Sequence, residues 1–143
     1  MFKDLKSNAC YDNADLYKLI RYSLANMSNE EIDEYLKKVR KELNYDIVGY
    51  YENDNIVGLM IYRLEKQNVV IEVISVEKDE RGKGIGGILV GETYRRTKCE
   101  NIEAVCSLKA SSFYQKLGFD ILSLGKNFYG EESFRCYRYY GVE

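Results

Sequence analysis

The sequence predicts one domain of the α/β (α+β) class, with a mixed, mainly antiparallel central sheet flanked by helices. Three observations predict it. Two amphipathic segments come first, three β-branched and aromatic segments joined by short turns follow, and a glycine-rich loop then separates a buried strand from another helix. Because 143 residues is a usual size for one domain, residues 1–143 are predicted to fold as a single unit.

Two helices are predicted at the start of the chain. In residues 13–27, leucine, isoleucine and methionine recur at helical spacing, and Asn13 is the candidate N-cap. The second helix has a clearer start, because Ser28 and Glu31 have the spacing of a capping box. Its predicted apolar face consists of Ile32, Tyr35, Leu36, Val39 and Leu43.

The next part of the chain predicts three strands. Residues 45–51 and 56–64 are β-branched and aromatic, and the turn-forming residues ENDN separate them. Residues 69–76 are almost continuously apolar, with Glu72 and Ser75 as the polar exceptions, which is typical of a buried central strand. The short connections favour an antiparallel meander.

The rest of the chain predicts alternating helices and strands. Gly118 is expected at the C′ position of the later helix, because glycine adopts the left-handed conformation at low cost. The predicted elements are a helix from Ile85 to about Lys98, a strand over 101–106, a helix over 110–117, and strands over 119–122 and 133–140.

Composition narrows the possible functions. Without histidine, neither a Ser-His-Asp nor a Cys-His nucleophile can be built, and we expect no metal site. A net charge of -2 gives no general attraction to nucleic acid or acidic lipid. No apolar run approaches the roughly 20 residues that span a bilayer, and the polar start is unlike a signal peptide. We therefore expect a cytoplasmic protein, a monomer or homodimer, without nucleic-acid or membrane partners.

The cysteines are expected to be reduced. They lie far apart and form no CxxC pair, so core positions are the simplest interpretation. They are Cys10, Cys99, Cys106 and Cys136.

The glycine-rich stretch 82–87 allows several interpretations. A P-loop is excluded, because GxxxxGK[ST] does not occur. The residues also match the dinucleotide fingerprint GxGxxG. Their surroundings do not fit it, because a meander precedes the loop and no acidic residue ends the next strand. A simple turn stays open. The fourth interpretation is the pattern [Q/R]xxGx[G/A] at Arg81, Gly84 and Gly86, in which small residues let backbone N–H groups and a helix N-terminus surround a pyrophosphate.

At this point the sequence resembles the GCN5-related N-acetyltransferase (GNAT) family, which binds acetyl-coenzyme A. The stretch VIEVISVEKDERGKGIGGILV is similar to the family's strand, pyrophosphate loop and helix. The stretch ASSFYQKLGF is similar to its A-x-x-F-Y-x-K-x-G-F segment. The resemblance implies two central strands that splay apart around the acetyl thioester, with acetyl-CoA as cosubstrate and no metal.

The resemblance also implies where coenzyme A would lie. The backbone of Ile74, Ser75 and Val76 would hold the acetyl and pantetheine end. The loop and helix start would hold the pyrophosphate, with cationic support from two side chains. These residues are Arg81, Gly82, Lys83, Gly84, Ile85, Gly86 and Gly87. Ser107 stands where the family often has an asparagine that bonds the pantetheine chain, so a shorter side chain would make that contact.

The resemblance implies direct attack of an amine on the thioester, which leaves proton transfers as the remaining chemistry. Glu72 is the first candidate base, because desolvation in an apolar strand is expected to raise its pKa. The alternative for Glu72 is that it points to solvent at the end of the strand or pairs with a nearby arginine. Glu103 on the next strand is the alternative base, and a water chain is a third. Tyr114 occupies the family's tyrosine position and would protonate the departing thiolate.

The predicted function is therefore acetyl transfer from acetyl-CoA to a primary amine within a ternary complex. The acceptor is a small-molecule amine or a protein or peptide amine. The alternative is a non-catalytic acyl-CoA sensor of the same fold, and a Rossmann-type oxidoreductase is a more distant alternative.

Overall fold

The computed structural model describes residues 1–6 and 13–141. Seven strands and four α-helices are formed within those residues. The strands are β1 (Phe2–Asp4), β2 (Tyr45–Glu52), β3 (Asn55–Glu65), β4 (Asn68–Val76), β5 (Asn101–Ser107), β6 (Asp120–Lys126) and β7 (Glu132–Tyr139). The helices are α1 (Asn13–Ser23), α2 (Asn29–Lys41), α3 (Ile85–Thr97) and α4 (Leu108–Lys116).

All seven strands belong to one sheet with the order β1-β2-β3-β4-β5-β7-β6. The strands from β1 to β4 form an antiparallel meander. The neighbouring strands β4 and β5 are parallel, and β5, β7 and β6 are again antiparallel. The predicted mixed, mainly antiparallel sheet is therefore confirmed.

The first two helices differ from their predictions in detail. The capping box of α2 is confirmed, because Ser28 Oγ accepts from the Glu31 N–H (3.1 Å) and Glu31 accepts in return (3.0 Å). Leu43 does not belong to the apolar face: it follows the end of α2, where helical spacing no longer applies, and it is 99% exposed. Asn13 is the first described residue of helix α1, so it is helical rather than the predicted N-cap.

Two hydrophobic cores lie on opposite faces of the sheet. One is formed by α1, α2 and the meander, with Leu19 and Ile32 fully buried. The other is formed by α3, α4 and the sheet, with Ile102 and Cys136 fully buried. Cys99 is also buried, Cys106 is partly buried, and all three of these cysteines are free thiols, whereas Cys10 lies outside the described residues.

The parallel strands β4 and β5 separate after a short paired region. Pairing joins Asn68–Val70 to Asn101–Glu103, whereas β4 continues to Val76 and β5 to Ser107. Each diverging strand keeps its outer partner, β3 for β4 and β7 for β5. This divergence confirms the splayed central strands and opens the middle of the sheet.

Candidate active site

A cleft of about 980 Å³ lies where β4 and β5 diverge. Its walls are the end of α1, the second half of β4, the glycine loop, the end of β5 and helix α4. A volume of several hundred cubic ångströms or more is typical of small-molecule and cofactor sites.

The glycine loop forms one end of this cleft. Gly82 and Gly84 adopt left-handed conformations, with φ of +84° and +82°. A Cβ atom at either position would meet no described atom within 4 Å, so the space beside the backbone is open. Side chains are disfavoured there by the backbone conformation rather than by neighbours. Both glycines line the cleft, as predicted for a backbone that closely approaches an anion.

Helix α3 begins at this loop without a side-chain cap. Gly84 occupies the N-cap position, and the first turn carries no acidic residue. The first N–H groups of a helix lack partners within the helix, and they carry its partial positive charge. The start of α3, including Ile85, therefore presents donors to the cleft that suit a phosphate or pyrophosphate.

The other predicted loop residues have more mixed roles. A Cβ on Gly86 would lie 3.0 Å from the Phe113 ring, so this glycine also allows α3 to approach α4. The Lys83 ammonium forms an ion pair with Glu80 (2.7 Å), and neither Lys83 nor Gly87 lines the cleft. Their predicted contacts with coenzyme A stay predictions.

Arg81 connects the loop to two other walls of the cleft. Its Nε donates to the Val76 carbonyl oxygen (3.0 Å), and its guanidinium lies 4.8 Å from the centre of the Tyr22 ring. Tyr22 near the end of α1 was not predicted from the sequence. Only the fold brings it beside the loop, and no local pattern marks it. Arg81 thus fixes the loop while it keeps its remaining N–H donors at the cleft.

The second half of β4 forms the inner wall. Ile74, Ser75 and Val76 all line the cleft, and none of the described strands pairs with β4 on that side after Val70. The Ser75 hydroxyl is buried without a hydrogen-bond partner among the described residues. An unsatisfied buried hydroxyl is costly, so a ligand that bonds it would gain from doing so.

Glu72 lies on β4 at a β-bulge. Ile61 pairs with Val73 and Tyr62 pairs with Ile71, which leaves Glu72 as the extra residue. Its carboxylate accepts hydrogen bonds from three side chains and lines the cleft. The donors are Tyr35 Oη (2.7 Å), Tyr45 Oη (2.8 Å) and Arg63 Nη1 (2.5 Å).

These bonds reverse the expected pKa shift. Burial raises the pKa of Glu72, but the hydrogen bonds from Tyr35, Tyr45 and Arg63 outweigh it, so the pKa is lower than the ordinary 4.5. The expectation of a raised pKa was wrong, because the three hydrogen bonds and the charge of Arg63 favour the carboxylate more than burial disfavours it. The three donors come from α2, β2 and β3, so no short motif could have shown them.

Glu103 lies where β4 and β5 are still paired, before the two strands diverge. It is in the paired part of β5 and does not line the cleft. Arg135 binds its carboxylate (3.1 Å) and Asn68 donates a further hydrogen bond (2.7 Å). The hydrogen bond from the Arg135 guanidinium lowers the pKa of Glu103. Burial raises this pKa by less, so it lies below its ordinary value. Its surroundings are those of a structural ion pair between strands.

Tyr114 and Ser107 are placed by α4. Tyr114 lines the cleft and is 7% exposed, and its hydroxyl has no hydrogen-bond partner among the described residues. Burial raises the pKa of Tyr114, which keeps the phenol protonated as an acid requires. Ser107 lines the cleft as well, and its Oγ caps α4 by accepting from the Ala110 N–H (3.4 Å). The Ser107 hydroxyl proton stays available to a ligand.

Comparison with protein families decides the classification. Residues 44–121 match the family model described as an acetyltransferase (GNAT) domain. This region is more than half of the 143-residue chain. The chain belongs to the GNAT acetyltransferase family. The matched region contains β2 to β4, the glycine loop, α3, β5 and α4, and therefore every strand and helix that lines the cleft except the end of α1.

Solved structures show the same GNAT fold over nearly the whole chain. An acetyltransferase from Bacillus subtilis in complex with CoA is 23% identical, with a TM-score of 0.71 over 96% of this chain and 97% of that one. An aminoglycoside 6'-N-acetyltransferase complexed with coenzyme A is 14% identical, with a TM-score of 0.82 over 100% and 98%.

A third solved structure with the same fold is named for a different acceptor. The ribosomal-protein-S18-alanine N-acetyltransferase from Escherichia coli is 14% identical, with a TM-score of 0.72 over 100% and 96% of the two chains. Comparison with curated protein sequences gives no match. At these identities the neighbours establish the fold of this chain.

The described residues contain neither a membrane-spanning helix nor a metal-binding cluster. Across residues 1–6 and 13–141, no helix is both long and apolar enough to cross a membrane. The same ranges contain no group of three or more Cys, Asp or Glu side chains placed to hold a metal ion.

Proposed function

We propose that this GNAT protein is an N-acetyltransferase that transfers the acetyl group of acetyl-CoA to a primary amine by direct attack in a ternary complex. One observation carries the proposal. A single cleft joins the uncapped start of α3 at Gly84, the free edge of β4, the Tyr114 hydroxyl and the Glu72 carboxylate. In one cavity, the helix start would bind an anion and the strand edge would bind an extended chain. The tyrosine would supply a proton and the carboxylate a negative charge.

The chain's residues fit coenzyme A along the length of this cleft. The N–H groups at the start of α3 and the Arg81 guanidinium would hold the pyrophosphate. The edge of β4 from Ile74 to Val76 and the hydroxyl of Ser75 would bind the pantetheine chain, with Ser107 on the opposite wall. Bound acetyl-CoA supplies the activated acetyl group as its thioester.

Tyr114 would then act as the general acid. The amine nitrogen forms a bond to the acetyl carbon, the carbon–sulfur bond breaks, and the Tyr114 hydroxyl donates its proton to the departing thiolate. Its raised pKa keeps that proton in place until the thiolate develops. Tyr114 is in direct reach of the cleft and has no competing acceptor among the described residues.

Glu72 would bind the acceptor rather than take up its proton directly. A lysine-like amine has a pKa of about 10.4, so a carboxylate with a pKa below 4.5 is too weak a base to deprotonate it efficiently. The same carboxylate stays charged at every physiological pH, and its three hydrogen bonds leave one of its about four acceptor positions for an ammonium group. The amine proton would leave through water beside Glu72.

The acceptor is proposed as a primary amine of a small molecule or of a protein or peptide. One neighbour is named for an aminoglycoside and another for a ribosomal-protein alanine, at TM-scores of 0.82 and 0.72. Both classes therefore enter the test. The three hydrogen bonds that occupy Glu72 also favour a second candidate, a coenzyme A sensor that binds without turnover.

The test begins with calorimetric titration of the purified protein with acetyl-CoA, with NADH as the control. Micromolar binding of acetyl-CoA and none of NADH supports the loop assignment. Release of free thiol is then followed with kanamycin, spermidine, a lysine peptide and an alanine-first peptide. Amine-dependent release supports the enzyme. Tight acetyl-CoA binding with no release for any amine supports the sensor, and absence of binding overturns both.

A further inference from the structure

Two cysteines lie in contact at the wall of the cleft. The Cys106 Sγ on β5 and the Cys136 Sγ on β7 are 3.0 Å apart. Cys136 is fully buried, whereas Cys106 is partly exposed and lines the cleft. The proposed function gives neither thiol a role. We propose that Cys106 and Cys136 are an oxidation site that forms a reversible disulfide in exchange with a small disulfide such as oxidised glutathione, and that this bond weakens coenzyme A binding.

The strand register places the two sulfurs on one face of the sheet. Ala104 pairs with Cys136 and Cys106 pairs with Phe134, so the two cysteines are diagonal neighbours across β5 and β7. A disulfide needs an S–S distance of about 2.05 Å, so the sulfurs must approach by about a further 1 Å. Because diagonal neighbours stand farther apart than directly opposite residues, closing the bond also requires one of the two strands to move.

The access of each thiol fixes the order of the exchange. The thiolate of Cys106, which the cleft exposes, attacks one sulfur of oxidised glutathione and releases one glutathione thiolate. Cys136 then attacks the Cys106 sulfur, the mixed disulfide breaks, and the second glutathione leaves. The two cysteine protons pass to the two glutathione thiolates. Burial, together with the hydrogen bond to Cys106, raises the pKa of Cys136 to about 12, in keeping with a second, slower step.

The packing indicates that β5 is the strand that moves. Cys136 is held from both sides, because β7 lies between β5 and β6. The end of β5 is paired with β7 only, since β4 has already diverged. The next residue, Ser107, caps α4, and both thiols are close enough to Tyr114 for their charge to raise its pKa further. Closing the disulfide would thus displace the cleft wall that carries Ser107 and Tyr114.

The experiment compares reduced and oxidised full-length protein. After incubation with oxidised glutathione and blocking of free thiols, peptide mass spectrometry is expected to find Cys106 joined to Cys136, with the loss of two hydrogen atoms. Titration is expected to show coenzyme A affinity reduced by at least about fivefold, the lower end of usual coupling between sites, and restored by dithiothreitol. C99A, at the other buried cysteine, is the matched control and is expected to form the same bond.

Two variants identify the source of the effect. C136A removes a residue outside the cleft lining, so its reduced form is expected to bind coenzyme A like the wild type, and oxidation is expected to leave glutathione on Cys106. C106S is expected to take up no glutathione at Cys136. Free thiols at both positions in oxidised wild type, or equal affinity with the bond formed, overturns the proposal. The affinity effect rests on the proposed function, whereas the bond does not: if reduced protein fails to bind coenzyme A, the proposed function fails even when the bond forms.

Discussion

The two helices that follow the parallel strands begin in different ways, although both begin at the cleft. Helix α4 starts directly after β5, and the Ser107 hydroxyl caps it by accepting from the Ala110 N–H. Helix α3 starts at Gly84, which has no side chain, and no other side chain caps it. A side chain thus satisfies part of one helix start, whereas the N–H groups at the other have no side-chain cap.

The connections that lead into the two helices also differ, in their length. Residues 77–84 separate β4 from α3, whereas no residue separates β5 from α4. The long connection can surround an anion with backbone N–H groups. The direct connection ties α4 to the sheet and so fixes the position of Tyr114. We infer from this difference that one end of the cleft binds the ligand and that the other positions a side chain.

The largest effect is expected from Gly84→Val at the uncapped helix. A β-branched residue at a φ of +82° is strained by about 1–3 kcal/mol, and its side chain would fill the space intended for phosphate oxygens. We expect coenzyme A affinity to fall by at least about 100-fold, or about 2.8 kcal/mol, as measured by titration calorimetry.

Gly91→Val is the matched control for this variant. Gly91 lies further along α3, exposed and with no described atom within 4 Å of an added Cβ. The same substitution there should leave affinity within about twofold, since no cleft residue changes. Normal binding in folded Gly84→Val protein would show that the uncapped start is not the phosphate site.

The next largest effect is expected from Tyr114→Phe on the capped helix. General acids contribute about 10²- to 10⁴-fold, but a thiolate is already a fair leaving group, so we expect kcat to fall by less than most of that range, about 10- to 100-fold. Acetyl-CoA affinity should hardly change. Tyr94→Phe is the control, because Tyr94 stacks on Tyr140 away from the cleft. Equal losses in both variants would argue for a structural effect rather than acid catalysis.

The sequence predicted the start of α3 at Ile85 and placed the start of α4 two residues late, without its Ser107 cap, whereas it missed the two tyrosines that donate to Glu72. The glycine loop, α3, β5 and α4 follow from residues close together in the chain, where spacing and turn preferences act. The donors to Glu72 stand 37, 27 and 9 residues away along the chain. Only folding brings them together, and they decide the direction of its pKa shift.

Local sequence patterns also failed to predict the surroundings of two further residues. Leu43 continues the apolar spacing of α2, yet the helix ends at Lys41 and the side chain is exposed. Gly86 fits the anion pattern, but its nearest neighbour is the Phe113 ring of α4. A sequence pattern cannot separate a glycine required by a ligand from one required by a packed helix.

Glu72→Gln is expected to have a moderate effect on the acceptor. Removing a charge that bonds an ammonium costs about 1.5–3 kcal/mol, so kcat/KM for the amine should fall by about 10- to 100-fold while acetyl-CoA binding persists. Glu103→Gln, outside the cleft, is the matched control and should preserve kcat/KM. If Glu103→Gln were the more damaging substitution, the assignment of the acceptor site would be wrong.

The pH profile tests the same assignment. Because the pKa of Glu72 is lowered, its carboxylate stays charged above its ordinary value of 4.5, and its contribution to stability is lost only as pH falls through the lower, folded-state value. We therefore expect no loss of kcat/KM from Glu72 above pH 5. The rate should instead rise with pH as the acceptor loses its proton, toward about 10.4 for a lysine-like amine or about 8 for an α-amine.

The smallest effect is expected from Ser107→Ala, which makes the start of α4 resemble that of α3. An N-cap is worth about 0.5–2 kcal/mol, and the 3.4 Å distance favours the lower half of that range. The thermal midpoint should fall by about 3 °C, as measured by circular dichroism. Ser107→Asn should restore it, because asparagine is also a good N-cap with a longer reach. If Ser107→Ala left the thermal midpoint unchanged, the N–H groups at the start of α4 would need no cap. The difference between the starts of α3 and α4 would then have no energetic consequence.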